Sequence, residues 1–275
     1  MDPKSDGAEM ADGDNRVLSP VLWPPRYPDG TPIPGSGTSI LRHPSGRDVA
    51  VEVAVFKEHR FAFAFWAGWT RARRRKGLRP PHLVSLDFHQ DLCWPADCEL
   101  ADLDGLNLQS DADVALFAWA RLNPLNHDHI FSAAYLDLIQ DIFVLSKTDD
   151  DSYLEVVTDV AGKTHRVVVC YSLEELLEAL PHSADVYLDI DLDFFTEQGP
   201  ETSAMLVDDS DVTELMAPGS PLMRAVLPGL AGMTIATEPE YCGGLRGSNH
   251  LYGLLDSALF NPPLLSDDAD WAWPR

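Results

Sequence analysis

Two short acidic segments each follow an apolar run that is typical of a buried strand. Asp87-Phe88-His89-Gln90-Asp91 follows the run 82–86, and Asp189-Ile190-Asp191-Leu192-Asp193 follows the run 186–188. Alternate side chains of a strand project to the same face, so the acidic side chains and the histidine of each segment converge. Buried carboxylates without partners cost on the order of several kcal/mol each, and cations among them remove that cost. The two segments therefore predict a metal site.

The types of these side chains indicate which metal would bind. Carboxylate oxygen with imidazole nitrogen, and no obligatory thiolate, favours Mn²⁺, followed by other divalent transition metals. Two divalent ions would balance the four negative charges of Asp87, Asp91, Asp189 and Asp191. Two ions about 3.5–4 Å apart can share a water and convert it to hydroxide at neutral pH. Either motif alone also fits a turn or capping cluster, but their joint presence favours a metal site.

The D-x-H-x-D motif, followed by a later strand that ends in D-x-D, resembles the arginase/agmatinase (ureohydrolase) superfamily. The segments 86–92 and 187–195 are most similar to a divergent branch that includes peptide arginases, which convert arginine to ornithine inside ribosomally made peptides. The resemblance covers residues 48–260. It implies an α/β protein with a three-layer α/β/α arginase-like fold, a mostly parallel sheet, and two Mn²⁺ at the carboxyl ends of the strands.

The resemblance also implies a role for each candidate ligand. Asp87 and Asp189 would bridge the two ions. His59 and Asp91 would complete the coordination of one ion, and His89 and Asp191 that of the other.

Two departures from the superfamily pattern concern His59 and Asp193. The usual G-G-D-H segment is absent, and His59 takes its place because it follows the strand-like run 51–56. The alternative for His59 is a histidine at a helix start, paired with Glu58. The usual D-x-D-x-x-D-P pattern is shortened, which leaves Asp193 beside the ligands rather than among them.

A late strand at 233–238 runs into a turn rich in Pro and Gly. In arginases the strand at this place ends in a glutamate that holds the guanidinium, and Glu238 matches best, with Glu240 second. A carboxylate suits this role because it accepts a forked, charge-assisted pair of hydrogen bonds. The alternative is a turn carboxylate that faces water.

The segment Asn126-His127-Asp128-His129 offers candidates for the proton donor. His127 or His129 on a loop near the metals could protonate the leaving amine. The alternative is a capping cluster for a helix that starts near Ile130, with Asp128 as the N-cap.

The length of 275 residues and a hydrophobic fraction of 45% predict one substantial domain. Strand-like and helical segments alternate after residue 47, which predicts a doubly wound sheet; a hairpin at 153–158 and 166–170 would make the sheet mixed. The remaining segments are an N-terminus predicted to be disordered, a Pro/Gly-rich arm without regular structure, the catalytic domain, and an acidic, aromatic tail: 1–20, 21–47, 48–265 and 266–275.

The net charge of −24 argues against nucleic acid as a partner and suits a cationic substrate, although solubility alone also explains it. The basic run 71–79 ends a helix predicted from His59 to Gly77, where cations complement the helix dipole. No apolar run reaches membrane-spanning length, and the N-terminus lacks the features of a signal peptide. The four cysteines show no tight metal spacing, so we expect reduced thiols in a cytoplasmic protein.

Together with the resemblance, these features predict a hydrolase with two Mn²⁺ that cleaves a guanidinium to urea. The similarity to the branch that includes peptide arginases implies, more specifically, conversion of arginine to ornithine within a peptide. Free arginine and agmatine carry the same group, so the sequence does not choose among them. One alternative is a deacetylase-like amide hydrolase, which usually holds one metal and lacks the carboxylate that Asp91 provides. The other is a binding or regulatory protein that retains the fold. The sequence carries no signal for the oligomeric state.

Overall fold

A computed structural model describes residues 33–148, 153–198 and 204–272 of the chain. The predictions for 1–20, for the first part of the arm and for the tail beyond residue 272, including Trp273, lie outside the described residues. The strands of the described residues are Gly37–Arg42 (β1), Ala50–Phe56 (β2), His82–Asp87 (β3), Ile142–Ser146 (β4), Val156–Thr158 (β5), Thr164–Cys170 (β6), Val186–Asp191 (β7), Thr196–Gln198 (β8), Ala204–Leu206 (β9) and Leu230–Ala236 (β10).

Eight of these strands form one mostly parallel sheet with the order β1-β2-β10-β7-β3-β4-β6-β5. The inner strands from β2 to β6 pair in parallel, whereas β1 and β5 join the two edges antiparallel. The hairpin alternative is therefore confirmed for β5 and β6, and the sheet is mixed. The arm contains a strand, β1, where the sequence predicted no regular structure. Strand β1 pairs with β2 along its whole length. This pairing stabilises an extended conformation that the Pro- and Gly-rich composition of the arm does not predict.

Helices cover both faces of the sheet. Their bounds are Ala62–Arg75 (α1), Asp97–Asp104 (α2), Asp111–Ala120 (α3), His129–Tyr135 (α4), Leu173–Ala179 (α5), Asp209–Met216 (α6), Pro221–Val226 (α7) and Leu245–Leu259 (α8). Along β2, Val53 and Val55 join the apolar cluster of α5–α8, whereas Ala54 and Phe56 join that of α1–α4. This alternation is the period of two that a strand between two layers requires. The predicted three-layer α/β/α fold is confirmed.

The helix predicted after His59 is also present. A single 3₁₀ turn, His59–Phe61, leads into α1, and Gly77 ends the segment with a φ of 72°. Two arginines of the basic run at its end form ion pairs. Arg73 lies 2.6 Å from Asp185, and Arg74 lies 2.8 Å from Asp137. Among the described residues, no helix is both long and apolar enough to cross a membrane. None of the four cysteines, all of which lie in the described residues, forms a disulfide.

Candidate metal centre

The candidate residues meet at the carboxyl ends of four adjacent strands, β2, β10, β7 and β3, which pair in parallel. Ligand sites of open α/β sheets lie at this edge. A cavity of about 640 Å³ opens there. Its wall contains candidates from several elements: Asp87, His89, Asp91, His127, Asp191, Asp193 and Glu238.

His59 lies fully buried at the centre of the carboxylates. Its Nδ1 is 3.0 Å from Oδ2 of Asp91, 3.2 Å from Oδ2 of Asp191 and 3.4 Å from Oδ2 of Asp87. Its Nε2 is 2.7 Å from Oδ2 of Asp189. The two ring nitrogens therefore face different carboxylates, three on one side and one on the other.

Asp189 lies one step deeper in the sheet than the other acidic residues. Its register partners on the neighbouring strands are Ser85 and Thr234, and their hydroxyl groups donate to its carboxylate at 2.9 and 2.6 Å. With Nε2–H of His59 as a third donor, Asp189 is satisfied by the protein and does not line the cavity. Burial alone would raise the pKa of Asp189, but the His59 ring outweighs it and lowers that pKa.

This arrangement fixes how His59 presents its other nitrogen. Because Nε2 donates to Asp189, Nδ1 of a neutral ring carries a lone pair, which points at three carboxylate oxygens. Such a set repels itself unless His59 takes a second proton or a cation binds. Burial opposes charge on His59, yet Asp189 and then Asp191 hold its pKa well above the usual value.

The carboxylates themselves lack compensation. Burial and then the charge of Asp91 raise the pKa of Asp87 well above its ordinary value. Burial and then the charge of Asp193 do the same for Asp191. Oδ2 of Asp87 is buried without any hydrogen-bond partner. One imidazole nitrogen and three carboxylate oxygens around this point are the donor set of a divalent transition metal, so the residues fit such an ion.

A second group of donors adjoins the first. Atoms of Asp87, His89 and Asp193 lie within 4.8 Å of one another, and Nδ1 of His89 is 3.5 Å from Oδ2 of Asp193. Backbone N–H groups orient this group: that of Phe88 donates to Asp193 at 3.1 Å and that of His89 to Asp87 at 2.9 Å. Asp193 thus faces the cavity, as Asp191 does.

Glu238 and Glu240 differ in position. Glu238 is 5% exposed and lines the cavity, and burial raises its pKa to about 7. Its Oε1 accepts the backbone N–H of His59 at 2.8 Å and a hydrogen bond from Nδ2 of Asn126. Glu240 instead pairs with Lys57 at 2.6 Å on the surface and does not line the cavity.

The two histidines of the 126–129 segment also differ. His127 lines the cavity. His129 is fully buried, and its ring packs between those of His59 and Trp66, with centroids 4.4 and 5.6 Å away. Burial and then His59 hold the pKa of His129 well below its usual value. Asp128 precedes α4 as its N-cap residue, but its side chain makes no capping hydrogen bond.

Backbone conformation singles out one residue that the sequence analysis did not propose. Within the described residues, three non-glycine residues at the site have a positive φ: Asp91 at 51°, Asn126 at 61° and Glu238 at 25°. Such conformations are uncommon and concentrate at functional sites. Asn126 lines the cavity beside Glu238. An Asn after Asn-Pro-Leu is also an ordinary turn residue, so its type gave no functional signal.

Comparison with known proteins gives matches among solved structures only. No family model matches the sequence. No curated protein matches it either. A hypothetical agmatinase from Burkholderia thailandensis is 16% identical, with a TM-score of 0.44 over 74% of this chain and 56% of that one. The proclavaminate amidino hydrolase of Streptomyces clavuligerus is 14% identical, with a TM-score of 0.39 over 73% of this chain and 62% of that one.

The matched region therefore spans less than two thirds of either of these chains.

Proposed function

We propose that this protein is a metal-dependent hydrolase that cleaves a guanidinium group and releases urea. The observation that carries the proposal is the surroundings of His59 Nδ1, where oxygens of Asp91, Asp191 and Asp87 lie at 3.0, 3.2 and 3.4 Å. A buried lone pair among three buried carboxylates needs a positive charge, which either a bound metal ion or a second proton on His59 supplies, and we propose the metal ion. The same motifs gave the resemblance to ureohydrolases.

The geometry favours a ligand set that differs at two positions from the one the resemblance implied. Asp189 is satisfied by Ser85, Thr234 and His59 and acts by orienting the His59 ring. We propose that Asp193 replaces Asp189 as a metal ligand. The proposed ligands are His59, Asp87, Asp91 and Asp191 for one ion, and Asp87, His89, Asp191 and Asp193 for the other.

When bound, divalent ions supply Lewis acidity and an activated water. The protein's own groups bind and orient the substrate. Oε2 of Glu238 accepts N–H groups of the guanidinium, while Oε1 remains tied to the backbone of His59. His127, in the cavity wall, donates a proton to the leaving amine, a role closed to the buried His129. The carbon–nitrogen bond breaks between urea and that amine.

We further propose that the substrate is an arginine within a peptide. Among the described residues that line the cavity there is no Lys or Arg, so no ammonium or guanidinium group there can pair with the α-carboxylate of free arginine. Apolar side chains stand exposed around the opening, where flanking residues of a peptide can pack: Trp94, Leu125, Leu154 and Tyr241. Because the donor set is carboxylate and imidazole, we propose Mn²⁺ as the metal.

The test is release of urea by the Mn²⁺-loaded protein from a capped arginine peptide, agmatine and free arginine. We expect the highest kcat/KM for the peptide, because its flanking residues contribute binding that the small substrates lack. Asp87→Asn should abolish release from all three. Urea from free arginine alone would reject the peptide assignment. Urea from none, with acetate released from an acetyl-lysine peptide, would indicate an amide hydrolase, and no turnover at all a binding protein.

A further inference from the structure

We infer that Asn126 positions Glu238 for the guanidinium and so determines how tightly the site binds that group. The inference rests on the proposed function, because it concerns the same substrate. Asn126 lies on the loop before α4, and Glu238 follows β10. Their side chains meet in the cavity wall although 112 positions separate them in the sequence.

The contact decides which oxygen of Glu238 can face the substrate. Oε1 accepts two N–H groups, one from the backbone of His59 at 2.8 Å and one from Nδ2 of Asn126. Among the described residues, none donates a hydrogen bond to Oε2. The carboxylate is therefore held at one oxygen and open at the other. A carboxylate held in this way keeps its orientation and loses little rotamer freedom when a cation binds.

Asn126 is itself held in place on both sides of its peptide unit. Its N–H donates to the carbonyl of Asn123 at 3.0 Å, and its carbonyl accepts Nδ1–H of His129 at 2.9 Å. The residue is 7% exposed. With its backbone anchored to α4 through His129, its amide can act as a fixed donor.

The orientation of the amide supports this role. Oδ1 of Asn126 is buried without a hydrogen-bond partner, which costs free energy. Rotating the amide would place Oδ1 against the carboxylate of Glu238 and would be worse. An apolar side chain would fill the space without an unpaired acceptor. What the amide contributes here is its hydrogen bond to Glu238.

A simpler role for Asn126 is to supply the left-handed turn, since its φ is 61°. Asn is one of the few residue types that adopt this conformation readily, and Gly adopts it more readily still. The two roles predict different outcomes for Asn126→Gly. Gly preserves the turn and removes the amide.

The experiment compares Asn126→Gly with Ser183→Gly, which changes an exposed residue of the same backbone class (φ 60°) away from the cavity. Each Mn²⁺-loaded variant is assayed for kcat and KM with a capped arginine peptide and for inhibition by millimolar guanidinium chloride. Bound metal is counted for each. If Asn126→Gly does not fold, Asn126→Ser replaces it, because Ser tolerates this φ at position 183 of the same chain.

For Asn126→Gly we expect KM and the inhibition constant of guanidinium to rise about tenfold, the loss typical of a hydrogen bond to a charged group. We expect the metal content to stay at the wild-type level and kcat to change less than KM. Ser183→Gly should match the wild type. Unchanged guanidinium inhibition in Asn126→Gly, with an active wild type, would overturn the inference. A wild type that releases no urea would instead overturn the proposed function.

Discussion

Two clusters of histidine and aspartate in this protein look alike in residue type but differ in how their charges are balanced. We call them the His59 cluster (His59, Asp87, Asp91, Asp189 and Asp191) and the His165 cluster (Asp137, Asp159 and His165). In each cluster a histidine and two aspartates bring donor atoms within 4.8 Å of one another: His59, Asp87 and Asp191 in the first, and all three residues in the second. Both clusters bury their histidine completely. Composition and proximity alone would rate them equally as metal sites.

The His165 cluster is already compensated by the protein. Lys163 lies 2.6 Å from one oxygen of Asp137, and Arg74 lies 2.8 Å from the other. Asp159 accepts the backbone N–H groups of Ala161 and Lys163, both at 2.8 Å. In the His59 cluster no Lys or Arg of the described residues pairs with Asp87, Asp91 or Asp191.

The pKa shifts have opposite directions for the same reason. Although burial opposes it, the backbone N–H of Lys163 and then His165 lower the pKa of Asp159. The pKa of Asp87 is raised well above its usual value, first by burial and then by Asp91. A carboxylate that prefers a proton is one that lacks a cation. The absence of protein compensation, rather than the acidic residues themselves, marks the candidate metal site.

The largest difference that we expect between the two clusters is in the metal content of matched variants. We expect about two equivalents of Mn²⁺ per dialysed chain, since two donor groups lie side by side. Elemental analysis of Asp87→Asn should show the loss of at least one ion. Asp159→Asn, the matched change in the His165 cluster, should retain both. Equal losses in the two variants, or no metal in the wild type, would reject the distinction.

Thermal unfolding provides a second readout of the same sites. Excess Mn²⁺ at about 1,000 times its Kd should stabilise the native state by about 4 kcal/mol. Asp87→Asn should lose most of that gain, whereas Asp159→Asn should keep it.

The next largest effect is the difference in metal binding between variants of Asp189 and Asp193. Asp193→Asn replaces a proposed ligand and should remove one ion. Asp189→Asn instead presents an amide N–H to Nε2 of His59, which favours the tautomer with its proton on Nδ1. We therefore expect both ions to bind, with the affinity for one reduced about 10–100-fold. Competition with a fluorescent chelator measures this, and loss of an ion from Asp189→Asn but not from Asp193→Asn would restore the original assignment.

That assignment illustrates what could be predicted from the sequence. The motifs predicted that Asp87, His89 and Asp191 converge, because strand periodicity and parallel strand ends determine it. The choice between Asp189 and Asp193 depends on the depth of each residue in the sheet. Register between β3 and β7 sets that depth, with Ser85 beside Asp189, and no local sequence pattern records it.

Other features that the sequence did not predict depend on contacts between segments that are distant in the chain. Strand β1 is stabilised by pairing with β2 rather than by its own sequence. The Pro and Gly content of the arm therefore predicted no regular structure there. Asn126 acquires its role only where the loop before α4 meets the end of β10. The pairing of β5 with β6 was foreseen as an alternative because a turn around Gly162 links two apolar runs.

A smaller effect concerns pH in the metal-free protein. The pKa values of Asp87, Asp191 and His59 are all raised in the native state. The folded protein therefore holds more protons than the unfolded chain above about pH 4 for the carboxylates and above about pH 6.5 for the histidine. These three groups lower the stability as pH rises through these windows, by about 1.4 kcal/mol for each unit of pKa shift. The lowered pKa of His129 acts in the opposite direction, but only below about pH 6.5.

Urea unfolding of the EDTA-treated protein should accordingly show a lower midpoint at pH 8 than at pH 6. Added Mn²⁺ should reverse the trend, because metal and protons compete for the same groups. A metal-free protein that gains stability between pH 6 and pH 8 would contradict the uncompensated state of the cluster.

The smallest expected effect belongs to the compensated cluster. Lys163→Met removes the ion pair with Asp137, whose side chains are 48% and 29% exposed. Because water screens such a pair and Arg74 still contacts Asp137 at 2.8 Å, we expect a loss of at most about 1 kcal/mol in the free energy of unfolding. Urea unfolding at neutral pH measures it, with Arg121→Met, which removes the more exposed 3.8 Å pair with Asp102, as the control. Metal content should stay unchanged, since Arg74 and the backbone N–H groups continue to balance the carboxylates. If Lys163→Met instead binds a third Mn²⁺, the charge of one lysine is what prevents the His165 cluster from binding metal. The ion pair would then contribute more than the backbone hydrogen bonds to balancing the charge of its carboxylates.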